Sequence, residues 1–242
     1  MKQKITIEEA IYKRMSIRKY DMKGLSKEEL ADIIKYANNV EPLIKDSKIR
    51  VDLIGPDDVK SIMPWKAPHY LAIYAEDNDM SKVNVGFIYE QVVLYLTSLG
   101  LGTCWAESVS PKDKNESDGL KWMIVVAFGK EENDKPWREN LNQIRRKPVN
   151  EVSDKEDERL KEALAAPSAM NNQPWYYTHV DDKIRVYCAK QNMLKKWMSS
   201  MNKFDVGISI SHIKVMNKNF KFEVEKNVKD IKGYTYIGTI NI

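Results

Sequence analysis

The amino-acid sequence predicts a mixed α+β fold. Helical signals alternate with strand-like runs, and helices rather than tight hairpin turns separate most of these runs. The chain has 242 residues, of which 43% are hydrophobic, which is enough for a shared core. We therefore expect helices packed against sheets, in one large domain or two smaller ones.

The helices are predicted from capping boxes, in which a hydroxyl residue and a glutamate three positions later satisfy each other's exposed backbone amides. Each box precedes apolar residues at helical spacing. The boxes occur at Thr6 with Glu9, at Ser26 with Glu29, and at Ser153 with Glu156.

Strands are predicted where apolar, β-branched and aromatic residues cluster between turn signals. These runs are 50–54, 70–74, 123–128, 175–179, 184–187 and 233–242. The polar stretches 111–119 and 130–140 are predicted surface loops, and 145–154 is the predicted junction between two halves of the chain.

Charge and cysteine content restrict the function classes. The net charge is only +4 across 39 basic and 35 acidic residues, so a nucleic-acid partner is not expected. Cys104 and Cys188 are far apart, and the three histidines lack ligand spacing, so neither a disulfide framework nor a metal site is expected. The longest uncharged run, 91–106, is too short to span a membrane, and a cytoplasmic location is expected.

The most informative segment is 166–175, which combines small residues, side-chain amides and two prolines. Pro167 stops a helix, and Ser168 lets backbone approach a ligand. Asn171 and Gln173 offer donors and acceptors to a planar partner. The alternative is a helix that ends in an ordinary polar turn.

Two other segments suit a ligand. Arg14, Ser16 and Arg18 would hold a phosphate, unless they form a solvated basic segment. Gly100 and Gly102 end an apolar helix and offer bare backbone to a flat ring. A Schellman ending would also explain Gly100, but it would leave Gly102 without a role.

Together these segments resemble the nitroreductase family of FMN-dependent oxidoreductases. In that family an Arg-x-Ser segment holds the FMN phosphate, and a Pro-Ser-x-x-Asn-x-Gln-Pro-Trp segment lines the flavin ring. The resemblance therefore implies phosphate contacts from Arg14, Ser16 and Arg18. It implies ring contacts from Pro167, Ser168, Asn171 and Gln173.

The resemblance also implies further cofactor contacts. Glu107 and Ser108 occupy the positions whose backbone amides face flavin N5 and O4, and the pair Arg145 and Arg146 resembles a second phosphate contact. Flavin N5 carries the chemistry, so no catalytic side chain is expected. NADH or NADPH is the expected electron donor to a small-molecule acceptor, such as a nitroaromatic or a quinone.

One departure from the family pattern suggests a duplicated chain. The Pro-Ser-x-x-Asn segment usually follows Arg-x-Ser closely, but here it comes more than half the chain later. Residues 48–51 (Lys-Ile-Arg-Val) recur literally at 183–186, and 84–88 resemble 205–209. Ser26 with Glu29 is likewise matched by Ser153 with Glu156.

The chain is thus similar to tandem, single-chain nitroreductases. Two nitroreductase-like repeats, 1–150 and 151–242, would form an internal pseudo-dimer with one retained FMN site. A monomer is expected, because the repeat supplies its own partner surface. The alternative function is a non-catalytic flavin- or small-ligand-binding protein on a degenerate scaffold.

Overall fold

The computed structural model describes residues 1–190 and 196–242, with the backbone only at 141 and 196–199. Within these residues α-helices and β-strands are both abundant, which confirms the predicted α+β class. The helices are α1 (Ile7–Lys13), α2 (Lys27–Asn39), α3 (Asp79–Ser98), α4 (Lys161–Leu164) and α5 (Lys196–Met216).

In the described part of the chain the strands form three antiparallel sheets. The first sheet has the order β1-β3-β6-β4, from Ile49–Ile54, His69–Ala75, Lys121–Gly129 and Gly102–Trp105. The second has the order β7-β8-β10-β9, from Trp175–Val180, Lys183–Ala189, Tyr234–Asn241 and Lys221–Glu223. A small sheet pairs β2 (Val59–Ser61) with β5 (Val109–Pro111).

Two of the three predicted capping boxes are confirmed. Thr6 and Ser26 each accept the glutamate amide three residues later, and each glutamate accepts the cap amide in return. The box at Ser153 is wrong, because the Ser153 hydroxyl donates to the Lys155 carbonyl. Asp157 instead caps a short 3-10 turn that leads into α4.

The chain divides into two compact units. The first comprises residues 1–41, 45–77 and 91–143, and the second comprises 42–44, 78–90 and 144–242. The second unit therefore includes the first part of α3 as well as α5. The sequence repeats 1–150 and 151–242 remain a prediction.

The two four-stranded sheets have the same strand order. Within each sheet the strands are counted here in chain order. The first pairs with the second, the second with the fourth, and the fourth with the third, and a long helix connects the second strand to the third. This order shows that the two Lys-Ile-Arg-Val segments do not lie on equivalent strands. Its first copy falls on β1, the first strand of one sheet, and its second copy falls on β8, the second strand of the other. The identity is therefore a coincidence of sequence.

Helices α3 and α5 cross at two glycines within the second unit. A Cβ atom on Gly86 would lie 2.1 Å from the Phe204 carbonyl oxygen, and one on Gly207 would lie 1.9 Å from the Val83 carbonyl oxygen. The same sequence offset relates Val83 to Phe204 and Gly86 to Gly207. Each helix therefore presents the same pair of positions to the other, which is the reciprocity of a two-fold contact.

A cluster of charged side chains joins β7 to the segment before α4. The His179 ring lies 2.5 Å from Asp154 through Nδ1 and 3.0 Å from Asp157 through Nε2. The Arg159 guanidinium donates to both Asp157 carboxylate oxygens. Mainly because of these hydrogen bonds, the pKa of Asp157 is lowered to about 2.

We expect Gly86→Ala and Gly207→Ala each to lower the free energy of unfolding by about 1 to 3 kcal/mol, because the new methyl group meets rigid backbone. The helix preference for alanine, about 1 kcal/mol, is too small to compensate. Gly55→Ala is the control, since its nearest neighbour is a side-chain oxygen at 3.4 Å. Urea unfolding followed by circular dichroism measures all three, and parental stability in either helix variant would contradict the tight crossing.

We expect Asp157→Asn to lower the free energy of unfolding by about 1.5 to 3 kcal/mol near neutral pH, because charge-assisted hydrogen bonds are lost. The folded-state pKa lies below the unfolded value, so this contribution is present above the unfolded pKa and is lost as the pH falls from about 4 towards about 2. Urea titrations of parent and variant across that range check the prediction. A difference independent of pH would exclude ionisation as its source.

Candidate functional site

The predicted phosphate segment follows directly after α1. Arg14 ends that helix with its backbone amide bonded to the Ala10 carbonyl, and only 4% of Arg14 is exposed. Ser16 is partly exposed and pairs with Thr103 of β4 in a short parallel bridge, while Arg18 is exposed. The first unit therefore brings Ser16 beside Thr103 of the Gly-Leu-Gly-Thr-Cys-Trp segment, and the phosphate contacts of Arg14, Ser16 and Arg18 remain a prediction.

Arg138 is a candidate site residue that the sequence did not reveal. Its amide donates to the Lys13 carbonyl, and its guanidinium donates to the Tyr12 carbonyl at 3.1 Å. Only 7% of Arg138 is exposed. Its pKa is lowered to about 10, first because the group is buried and second because Arg14 carries a like charge. Two buried cations close together favour a bound anion.

The position of Arg138 depends on a backbone pairing distant in sequence. Trp137 forms an antiparallel bridge with Arg14, and the Trp137 indole donates to the Thr97 carbonyl at 3.0 Å. These contacts bring the loop 130–140, predicted only as a surface loop, against the end of α1. No local pattern could have indicated Arg138, although an anchoring tryptophan in a polar loop is itself an unusual feature.

The two glycines after α3 have different roles. Gly100 has φ of 80°, and the amides of Gly100 and Leu101 bond to Thr97 and Leu96, which is the Schellman ending. At Gly102 a Cβ atom would lie 2.8 Å from the Ile17 side chain. Its missing side chain makes room for Ile17, so the expectation that Gly102 is bare backbone for a ring is corrected.

Cys104 belongs to a hydrophobic cluster in the first unit. Burial raises the pKa of its thiol, although Arg18 and Arg14 act in the opposite direction. A thiol kept protonated is a poor nucleophile. This agrees with the packing role expected from the sequence.

Glu107 and Ser108 form the centre of a turn. The Val109 amide closes this turn by donating to the Ala106 carbonyl at 3.2 Å, and the Ala106 amide donates to Val125. The amides of Glu107 and Ser108 therefore lie outside the closing hydrogen bond. Burial raises the pKa of the Glu107 carboxyl. The flavin contacts of these two amides remain a prediction.

The segment 168–173 of the second unit is a strained loop. Met170, Asn171 and Gln173 have φ of 50°, 56° and 48°, a region that costs about 1 to 2 kcal/mol for residues such as methionine and glutamine and less for asparagine. The Ser168 hydroxyl accepts from the Gln173 amide at 2.9 Å. The Asp205 carboxylate accepts from the Ala169 amide. Such strain is typical of binding sites, where the surrounding structure maintains it.

The side-chain amide of Gln173 is engaged within the chain. Its Oε1 accepts from the Lys147 amide at 2.8 Å, and its Nε2 donates to the Asn171 carbonyl at 3.1 Å. Gln173 is only 4% exposed. A contact between this amide and a ligand remains a prediction, and it would have to share atoms that already hold the loop.

Arg145 and Arg146 lie beside this loop. The Arg146 guanidinium donates to Asn171 Oδ1 at 3.0 Å and to the Ala165 carbonyl at 2.9 Å. Asn171 Nδ2 donates to the Arg145 carbonyl at 3.1 Å, while the Arg145 side chain is exposed. Pro167 follows three residues after the end of α4, consistent with its predicted role in stopping a helix.

Two negative findings apply to the described part of the chain. Among those residues no group of three or more histidine, cysteine, aspartate or glutamate side chains could hold a metal ion. No helix there is long and apolar enough to cross a bilayer.

Because 79% of Met170 is exposed and its backbone is left-handed, we expect Met170→Gly to keep or raise the free energy of unfolding, by up to about 1 kcal/mol. Ala169→Gly is the matched control. It lies next to Met170 outside the left-handed region, so it should lose about 0.5 to 1 kcal/mol. Urea unfolding separates the two, and equal losses would contradict the strain.

A family model described as "Putative TM nitroreductase" matches residues 6–217. No curated protein matches significantly. A "putative nitroreductase" from Thermotoga maritima is similar in structure, with 20% identity, a TM-score of 0.66, and coverage of 99% of this chain and 94% of that one.

Shorter structures match only part of this chain. A nitroreductase family protein from Clostridium difficile has 19% identity and a TM-score of 0.47, covering 63% of this chain and 99% of its own. A nitroreductase with bound FMN from Desulfitobacterium hafniense has 13% identity and a TM-score of 0.42, covering 53% and 90%. The likeness to the Thermotoga protein shows a nitroreductase fold. The match over 6–217 establishes that this chain belongs to the family described as "Putative TM nitroreductase".

Proposed function

We propose that this protein is an FMN-dependent oxidoreductase. It would pass electrons from NADH or NADPH through the flavin to a small acceptor such as a nitroaromatic or a quinone. Family membership supports a redox function, and the buried pair Arg14 and Arg138 is the observation that carries the choice of a phosphate-bearing cofactor.

The residues around this pair fit a phosphate. Arg14 and Arg138 supply buried positive charge, Ser16 supplies a hydroxyl, and Arg18 supplies an exposed guanidinium. Thr103 Oγ1 is buried and has no hydrogen-bond partner among the described residues, although a buried hydroxyl normally has one.

The proposed ring contacts come from two local structures. The turn at Glu107 and Ser108 would donate backbone amides at the flavin N5 edge, and the 168–173 loop would provide polar groups beside the ring. FMN, when bound, supplies the electron and hydride transfer. The residues of the chain contribute binding and orientation, and Cys104 has no proposed chemical role.

We further propose that the chain is an internal pseudo-dimer. The identical strand orders and the reciprocal contact of Gly86 and Gly207 support two repeats derived from one ancestor. A protein with this history would be a monomer that binds one FMN. Light scattering and quantification of released flavin test both statements, and an obligate dimer or two flavins per chain would contradict them.

The function is tested by the visible spectrum of the purified protein under anaerobic conditions. Bleaching of the flavin band by NADH or NADPH, followed by recovery with a nitroaromatic or a quinone, is expected. A yellow protein that neither nicotinamide reduces would favour the non-catalytic binder. A protein that cannot be loaded with FMN would refute both functions.

We expect Arg14→Ala and Arg138→Met each to weaken FMN binding about tenfold to a hundredfold, because a charge-assisted phosphate contact contributes about 1.5 to 3 kcal/mol. Riboflavin lacks the phosphate, so its affinity should not change. Asn171→Ala should weaken both ligands, by nearer to 1 kcal/mol. Arg50→Ala is a control, since Arg50 pairs with Asp52 instead. Titration of apoprotein measures these affinities, and equal losses for the two ligands in the arginine variants would exclude a phosphate contact.

A further inference from the structure

We infer that Arg146 is a positioning residue that holds the 168–173 loop in its binding conformation, and is not a phosphate ligand. This inference rests on the proposed function, because it concerns the loop assigned to the flavin ring. It also decides between two adjacent arginines that the sequence leaves equivalent.

Arg146 connects the loop to the end of α4. One terminal nitrogen of its guanidinium donates to Asn171 Oδ1 at 3.0 Å, and the other donates to the Ala165 carbonyl at 2.9 Å. Ala165 is the C-cap residue of α4, three positions before the loop begins, and Asn171 lies within the loop. A planar guanidinium can make both bonds at fixed geometry, which a lysine ammonium cannot reproduce.

The loop requires such a connection because its own backbone is unfavourable. Met170, Asn171 and Gln173 are all left-handed without being glycine. Asn171 Oδ1 receives Arg146, and Asn171 Nδ2 donates to the Arg145 carbonyl, so the orientation of this side-chain amide is fixed from both ends. Gln173 then donates to the Asn171 carbonyl. The contacts of Arg146 therefore extend through Asn171 to Gln173.

The same contacts argue against a phosphate role for Arg146. Both terminal nitrogens already donate to oxygen atoms of the chain, so an end-on bidentate phosphate contact through these two nitrogens would compete with the bonds that hold the loop. The neighbouring Arg145 differs, because its side chain is exposed and only its backbone carbonyl contacts the loop. Arg145 is thus a matched control at the adjacent position.

The first test compares FMN with riboflavin in titrations of the full-length apoprotein. We expect Arg146→Ala to weaken both ligands by about tenfold, with their ratio unchanged, because the ring site is loosened. Arg145→Ala should leave riboflavin affinity unchanged. Arg14→Ala, which should affect FMN alone, provides the pattern of a lost phosphate contact.

Three outcomes would overturn the inference. Loss of FMN affinity alone in Arg146→Ala would make Arg146 a phosphate ligand. Unchanged affinity for both ligands would mean that the loop does not need Arg146. An equal loss of riboflavin affinity in Arg145→Ala would show that the effect does not come from the guanidinium contacts.

The second test needs no flavin. Hydrogen exchange measured by mass spectrometry should show faster exchange of the 168–173 amides in Arg146→Ala, with parental exchange in Arg145→Ala. Failure of the parent to bind any flavin would refute the proposed function, and this exchange result alone would then decide on Arg146. If Arg146→Ala does not fold by circular dichroism, Arg146→Lys replaces it, with the same expected loosening. Unchanged exchange in the folded variant would overturn the inference.

Discussion

The crossing of α3 and α5 at Gly86 and Gly207 is the constraint on which the second unit depends. Backbone meets backbone there, so the two helices have no freedom to separate or slide without losing the contact. Helix α5 also packs against β7 and β8, and the Tyr177 hydroxyl donates to Ser209 on α5. Two residues that lack side chains thus set how α5 crosses the first part of α3, and α5 in turn packs on the sheet.

The same helix α5 supports the strained loop. Asp205, two residues before Gly207, accepts a hydrogen bond from the Ala169 backbone amide. Asn202 accepts one from the side-chain amide of Asn172. Arg146 also holds the loop, by donating to Asn171. A loop with three left-handed residues is therefore held by a rigid helix and by the segment that precedes α4. In the first unit, by comparison, the candidate phosphate residues are held by bridges to Trp137 and Thr103.

Sequence reasoning succeeded where the signal is local. The boxes at Thr6 and Ser26, the Schellman ending at Gly100 and most strands depend on residues within a few positions of one another. Ser153 shows the limit, because the pattern alone does not reveal that its hydroxyl bonds to Lys155. Arg138 and Arg146 show a second limit, because their positions depend on contacts with residues that are distant in sequence. The match of 84–88 with 205–209 marks the crossing helices, whereas the more exact Lys-Ile-Arg-Val match has no structural counterpart.

The reciprocal glycine contact also determines how this protein can change by mutation. In an assembly of two identical subunits, one codon change at such a glycine would introduce two clashes across the symmetry axis. Here Gly86 and Gly207 are encoded separately, so a single change introduces one clash and leaves the other half of the contact intact. The two faces of the contact are therefore free to diverge stepwise, a path that is closed to a strictly symmetric dimer.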